Sequence, residues 1–370
     1  MRKALRLLIL MPLVVFFIDS CTKDLSTTDY TEYRLSELGR RIFFDTSLSN
    51  PGGQACASCH APANGFTDPS HFAVSPGVVT GLFGNRNAPT IAYAKYTPAM
   101  FFDNEDSSWV GGLFLDGRVN SLSEQAGKPF LNPLEMGNTS VEMLVNKFKA
   151  STNYGYYMAM FGVISDPKTA FDNITRALAA YENVDSLSPF TSKFDYYLKG
   201  QAQLTDLEFR GMQIFKDTAK GKCANCHNIE PDDETGQILF TDFTYINDGV
   251  PANPSNPFYT MPSQYNPDGR LYVDKGLGGF LKNPAYYGMF RTSTLRNIAL
   301  TAPYFHNGVF NTLEEVVHFY NVRDVPGSGI ARAEYLPTVD SIETGNLRLT
   351  ADEETALVAF LKTLTDGYRK

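Results

Sequence analysis

At 370 residues and a formal net charge of −8, the chain is long enough for two domains. With that charge and no basic run it lacks the cationic face that nucleic-acid phosphates require. Its 27 Phe and 20 Tyr, beside 29 Gly and 21 Pro, describe a globular body rich in aromatic surface and exclude a disordered or fibrous chain.

The first residues are Met1-Arg2-Lys3, then a mostly apolar stretch to Ile18, then Asp19-Ser20-Cys21. The apolar part is shorter than the roughly 20 residues that span a bilayer, and reads as the core of a signal peptide. Ser20 directly before Cys21 predicts lipoprotein processing, in which residues 1–20 are removed and Cys21 is acylated. Ordinary cleavage with a spare cysteine is the alternative. The expectation is an exported protein on the periplasmic side of a membrane, held there by lipid alone, with the outer membrane and the cell surface left open.

The other four cysteines form two motifs, Cys56-Ala57-Ser58-Cys59-His60 and Cys223-Ala224-Asn225-Cys226-His227. Both read as c-type haem attachment. Thiols one helical turn apart add across the two haem vinyl groups, and the adjacent imidazole is carried beneath the porphyrin as proximal iron ligand. A zinc site or a thioredoxin-like redox pair is the alternative. Two complete copies on an exported chain weigh against both.

Each motif follows a G-x-x-I-F stretch, Gly39 to Phe43 and Gly211 to Phe215. An amphipathic helix is expected at each, the second opened by a Thr205/Glu208 capping box. The glycines predict close approach of another helix, taken to be the last one. That helix starts at the Thr350/Glu353 capping box, with Leu357, Phe360, Leu361 and Leu364 at helical spacing. The chain is expected to divide between Ser186 and Leu204, where Leu187-Ser188-Pro189 breaks a helix that includes Ile174 to Tyr181. A further helix, capped by Thr312 and Glu315, places Tyr320 with its apolar residues Leu313, Val316 and Val317, and His318 away from them. The predicted fold is mainly α. It has two cytochrome c-like domains, residues 21–190 and 191–370, each with one covalent haem. Long irregular stretches, 77–112 and 231–279, are expected to cover the haems.

With these residues in place, the chain resembles the bacterial di-haem cytochrome c peroxidases, including the MauG-type enzymes that oxidise a partner protein. The markers are Leu38-Gly39-Arg40, Arg86-Asn87-Ala88-Pro89-Thr90, Asp116-Gly117-Arg118, Glu124-Gln125-Ala126, Asn132-Pro133-Leu134-Glu135-Met136, Leu295-Arg296-Asn297 and Thr301 to Gly308. The resemblance spans Leu35 to Leu364. It implies that the N-terminal haem, on His60, binds hydrogen peroxide, that Glu135 is its distal acid–base group, and that Gln125 lines the same pocket. A solvated loop carboxylate is the alternative for Glu135. The family's capping histidine corresponds here to Val78, and His71, seven residues earlier, reads as an exposed loop residue. At the C-terminal haem, on His227, Tyr320 holds the distal position that is methionine in peroxidases and tyrosine in MauG-type enzymes. A core tyrosine beside a haem ligated otherwise remains the alternative. The resemblance also implies one Ca2+ on Asn87, Thr301 and Pro303. The tryptophan that many members carry before Asp-Gly-Arg is Leu115, with Trp109 six residues earlier.

Three functions follow in order of expectation. The first is a peroxidase fed by a small cytochrome or cupredoxin. The second is a MauG-type oxidase acting on a protein substrate, and the third a pure electron-transfer cytochrome. A homodimer is left open, and no nucleic-acid partner is expected.

Overall fold

A computed structural model describes residues 27–369, and helices carry nearly all of its regular structure. Cys21 and the signal segment lie outside the described residues. The N-terminal half contains α1 (Thr27–Phe43), α2 (Cys56–Cys59), α3 (Leu122–Leu131), α4 (Val141–Ala150), α5 (Tyr154–Phe161) and α6 (Pro167–Glu182). The C-terminal half contains α7 (Lys193–Leu198), α8 (Asp206–Lys216), α9 (Gly276–Leu281), α10 (Leu313–Val322) and α11 (Ala351–Lys362). Four short strands form two antiparallel pairs: β1 (Phe101–Asp103) with β2 (Ser108–Val110), and β3 (Tyr245–Ile246) with β4 (Phe290–Arg291). Among the described residues no helix is long and apolar enough to cross a membrane.

The same helix crossing builds both halves. A Cβ added to Gly39 of α1 would sit 1.8 Å from the Ala177 carbonyl oxygen of α6, and one added to Gly211 of α8 would sit 1.9 Å from that of Ala356 in α11. Only glycine allows backbones to approach so closely. Gly211 therefore meets the last helix, as its position implies. Gly39 meets α6 instead, the closing helix of its own half. The expected capping boxes start α8, α10 and α11, where Thr205, Thr312 and Thr350 pair with Glu208, Glu315 and Glu353.

Apolar residues collect into two main cores. Leu38, Ile42 and Phe43 pack with Phe130, Phe148 and Ile174 in the first, which reaches Leu187. The second begins at Phe194 and includes Phe215, Phe240, Leu357 and Phe360. A smaller cluster of Ala92, Tyr93, Leu239 and Phe243 lies between them and takes residues from both. The stretch expected to be irregular at 77–112 contains the β1–β2 hairpin, and backbone bonds tie its end to the other half: Gly111 N–H donates to Phe243 O at 3.0 Å, and Arg291 N–H donates to Leu115 O at 2.9 Å.

Because neither crossing has room for a methyl group, Gly39→Ala and Gly211→Ala should each destabilise the holoprotein by roughly 1–3 kcal/mol, as other overpacked contacts do. Denaturant unfolding followed by far-UV circular dichroism measures this. Unchanged midpoints would mean that the crossings can spread at no cost.

Candidate active site

The first haem motif winds as one helical turn, α2, with His60 N–H donating to Cys56 O at 2.9 Å. Cys223–Asn225 makes the tighter 3₁₀ turn, and His227 N–H likewise reaches Cys223 O at 2.9 Å. In both, a phenylalanine carbonyl holds the imidazole. His60 Nδ1 lies 3.1 Å from Phe66 O, and His227 Nδ1 lies 2.9 Å from Phe240 O. A carbonyl accepts only, so each Nδ1 carries the proton and each Nε2 keeps its lone pair for a metal. Burial pushes the His227 imidazole down to about 4 and lowers that of His60, which keeps both neutral and able to ligate. Both phenylalanines adopt left-handed backbone, with φ of 60° at Phe66 and 53° at Phe240, which turns the carbonyl toward the ring.

Desolvation pushes the Cys56, Cys223 and Cys226 thiols up to about 12 and Cys59 to about 11. Such apolar settings suit thioethers. The zinc alternative finds no ligand set: no group of three or more His, Cys, Asp or Glu side chains is arranged for a metal ion among the described residues.

Around the second motif opens a cavity of about 300 Å³, walled by Leu239, Val317 and Leu361 among others. Arg291 lines it, its Nε 3.5 Å from Phe114 O, and burial disfavours the charge of its guanidinium. A mostly apolar slot with a desolvated guanidinium fits a haem, whose propionates would neutralise that charge. Tyr320 of α10 enters the same cavity, and its hydroxyl donates to Asp248 Oδ2 at 3.2 Å. Burial raises the phenol well above its ordinary value and pushes Asp248 up to about 6. His318, on the opposite face of α10, is half exposed and lies 3.1 Å from Glu354. The helix thus brings Tyr320 to His227 and keeps His318 out.

At the first motif, Glu135 sits in the turn after α3, close enough to Cys56 and Cys59 to raise both thiols. Desolvation lifts its carboxyl above the usual range against the pull of Asn132 and Arg118. Asn132 Nδ2 donates to Glu135 Oε1 at 2.9 Å, which orients the group and leaves Oε2 for other partners. Gln125, half-buried on α3, precedes the same turn. Val78 N–H donates to Glu135 O at 2.8 Å, so residue 78 lies directly on this turn and presents an alkyl side chain. His71 is exposed, and both its nitrogens are engaged on the outside: Nδ1 is 2.8 Å from Ala302 O and Nε2 is 3.3 Å from Asn64 Nδ2.

Asn87, Thr301 and Pro303 are all among the residues that line the large cavity. Asn87 Nδ2 donates to Ala73 O at 3.2 Å, which turns the amide oxygen to the other side. Leu115 also lines that cavity, whereas Trp109 stacks edge-on to Phe102 on the hairpin, 5.2 Å between ring centres.

The family model of the di-haem cytochrome c peroxidases matches residues 34–203. A methylamine utilization protein, MauG of Paracoccus denitrificans, is 35% identical, covering 98% of this chain and 96% of that protein. The chain belongs to the di-haem cytochrome c peroxidase family. It is similar, within that family, to the cytochrome c551 peroxidase of Nitrosomonas europaea, 31% identical over 90% of this chain and 80% of that protein. The diheme peroxidase BthA of Burkholderia thailandensis superposes with a TM-score of 0.77 at 33% identity, covering 90% of this chain and 86% of that one. As a di-haem cytochrome c peroxidase family member the chain is an oxidoreductase with two c-type haems on a mainly helical, two-domain cytochrome c-like fold.

Behind the His227 haem site lies an ion pair that sequence reasoning missed. Arg296 is 1% exposed and meets Asp195 through two parallel bonds of 3.1 and 3.0 Å, while its Nε donates to Ile238 O at 2.7 Å. The guanidinium lies over Phe190, 4.3 Å from the ring centre, and 5.6 Å from that of Phe240. It therefore buttresses the carbonyl that aims His227. The Arg296 and Ser192 bonds hold the Asp195 carboxyl below its ordinary range. A lowered folded-state value means that this stabilisation is complete above the unfolded-state value, about 3.9, and is lost as pH falls through the folded one. Asp195→Asn leaves the buried Arg296 charge unpaired and should cost roughly 3–5 kcal/mol. Chemical unfolding at neutral pH measures that loss, and a cost near zero would mean that Arg296 finds another partner.

Proposed function

We propose that this chain reduces hydrogen peroxide to water at the haem carried by His60, using electrons that enter singly through the haem carried by His227. A small cytochrome or cupredoxin is the proposed electron source. When bound, the haem iron supplies the site at which peroxide is reduced. The observation that carries this reading is the position of Glu135 near Cys56 and Cys59, desolvated and oriented by Asn132, with the Val78 backbone bonded to the same turn. Cleaving the O–O bond heterolytically requires a proton to move from the near oxygen to the far one, which leaves as water. A carboxyl lifted toward neutrality by burial exchanges that proton readily in both directions. Gln125, on the adjoining helix, is proposed to line the peroxide pocket. Val78 offers no nitrogen to an iron and His71 is held outside, which favours a site open to peroxide without prior reduction.

Glu135→Gln is isosteric and should keep both haems while lowering peroxide turnover by about 100-fold or more, the usual scale for a lost acid–base group. Steady-state peroxide assays with haem quantification test this. Turnover near wild type would assign the proton transfer to another group.

A second reading, oxidation of a partner protein by MauG-type chemistry, is favoured by Tyr320, whose hydroxyl shares the cavity with His227. A phenolate is a hard anionic ligand that stabilises ferric and higher iron, whereas methionine sulfur favours the ferrous state. Tyr320→Met should therefore raise the potential of the His227 haem strongly and spare peroxide binding at the other. Potentiometric titration with optical detection checks it. If Tyr320→Phe alters neither spectrum nor potential, Tyr320 is a core residue and the first reading stands alone.

The proposed setting is the periplasmic side of a membrane, through a lipid on Cys21. A Ca2+ held by the Asn87 amide and the Thr301 and Pro303 carbonyls is proposed to tie the two halves together, since oxygen donors from both suit a hard cation.

A further inference from the structure

Between the two haem motifs runs an apolar seam rich in aromatic side chains. Its buried members are Ala92, Tyr93, Leu239 and Phe243, with Phe66, Tyr96 and Phe190 packed against them. The seam reaches both histidines. Phe66, whose carbonyl holds His60, packs against it on one side. On the other, Arg296 spans from the Tyr93 ring, 5.0 Å away, to the ring of Phe240, whose carbonyl holds His227. Tyr93 also lines the cavity that contains His227.

Among the four buried residues of the seam, only the phenol of Tyr93 loses an electron at a biologically accessible potential. It is 3% exposed, so its radical would be shielded from water. Its hydroxyl donates to Asp366 Oδ2 at 2.8 Å and accepts the Phe190 N–H at 3.1 Å. Asp366 is fixed in turn by Asn297 Nδ2 at 2.9 Å and by Thr191 N–H at 2.9 Å. A phenol that gives up an electron becomes a very strong acid and must release its proton at once. A carboxylate already hydrogen-bonded to the hydroxyl accepts that proton without rearrangement. The nearby Arg296 charge, which would oppose oxidation, is neutralised by Asp195.

We propose that Tyr93 relays electrons between the two haems, with Asp366 as its proton acceptor. Tyr93 gives one electron to the His60 haem after peroxide has oxidised it, and its hydroxyl proton passes to Asp366 Oδ2. This leaves a neutral phenoxyl radical and a protonated carboxyl. One electron from the His227 haem then reduces the radical while the proton returns. Peroxide is the oxidant, the external donor supplies the electron, and Tyr93 and Asp366 end unchanged. The proposal rests on the peroxidase reading for its oxidant alone.

The test is freeze-quench paramagnetic resonance of the holoprotein mixed with peroxide, with stopped-flow absorbance recording both haems. A tyrosyl signal is expected, narrowed when the protein carries ring-deuterated tyrosine and absent in Tyr93→Phe. Electron transfer between the haems should slow by about tenfold or more in Tyr93→Phe and in Asp366→Asn. It should be unchanged in Tyr245→Phe, whose hydroxyl donates to the Gly111 carbonyl and not to a carboxylate among the described residues. A signal that deuteration leaves unaltered, one that persists in Tyr93→Phe, or an unchanged transfer rate in that variant overturns the relay. The deuteration arm needs no substitution, so a signal it leaves unaltered overturns the relay even if a variant fails to fold, while assignment to Tyr93 rests on the Tyr93→Phe comparison. If peroxide leaves the His60 haem spectrum unaltered, the peroxidase reading fails. Flash-induced transfer between the haems in Tyr93→Phe then judges the relay separately, with an unchanged rate again overturning it.

Discussion

The imidazole of each C-x-x-C-H motif is oriented through its Nδ1 by a phenylalanine carbonyl, and much of the surrounding structure serves to hold that carbonyl still. The bond decides which nitrogen carries the proton, and so whether the other can bind iron. At His227 the carbonyl belongs to Phe240, whose ring is pinned among Phe194, Phe215 and Phe360. Arg296 lies over the same ring, and its Asp195 partner stands at the start of the C-terminal half. At His60 the carbonyl belongs to Phe66, which packs into the seam between the halves. Phe66 packs against the first core as well as the seam, and Arg296 joins Phe240 to Tyr93, so the orientation of each imidazole is coupled both to a core and to the contact between the halves.

Glu135 and Tyr320 show two ways of using burial. A carboxyl lifted above its ordinary range by desolvation holds its proton more tightly than an exposed one. A phenol lifted far above its range stays protonated unless a metal or an oxidant takes over the role of the departing proton. A carboxyl raised by burial thus stands beside one motif and a phenol that resists deprotonation beside the other. The two motifs differ in these neighbours, although their attachment sequences are nearly the same.

Much of this was legible in local spacing. The C-x-x-C-H motifs, the three capping boxes and the i, i+3, i+4, i+7 pattern that puts Tyr320 with the apolar face of α10 all depend on residues within two helical turns. A further repeat was present but unread: Phe66-Thr67-Asp68 and Phe240-Thr241-Asp242 follow the two motifs, and mark the carbonyls that hold His60 and His227. Glu135 was legible only through resemblance, because a turn carboxylate has no periodic signature. Asp248 beside Tyr320, Arg296 on Asp195 and Tyr93 on Asp366 were out of reach. Their partners stand far apart along the chain, and nothing at either residue announces the other. The partner of Gly39 was misplaced for a related reason: the glycine announces a close crossing without naming the helix that fills it.

The two glycine crossings also bear on how the protein is made. In each half the haem-attachment segment lies between two helices that meet only when the half is complete, α1 and α6 in one and α8 and α11 in the other. Loop closure over such separations is slow compared with forming a single helix. Until α6 or α11 arrives to seal it, each C-x-x-C-H segment is therefore displayed on an unclosed chain.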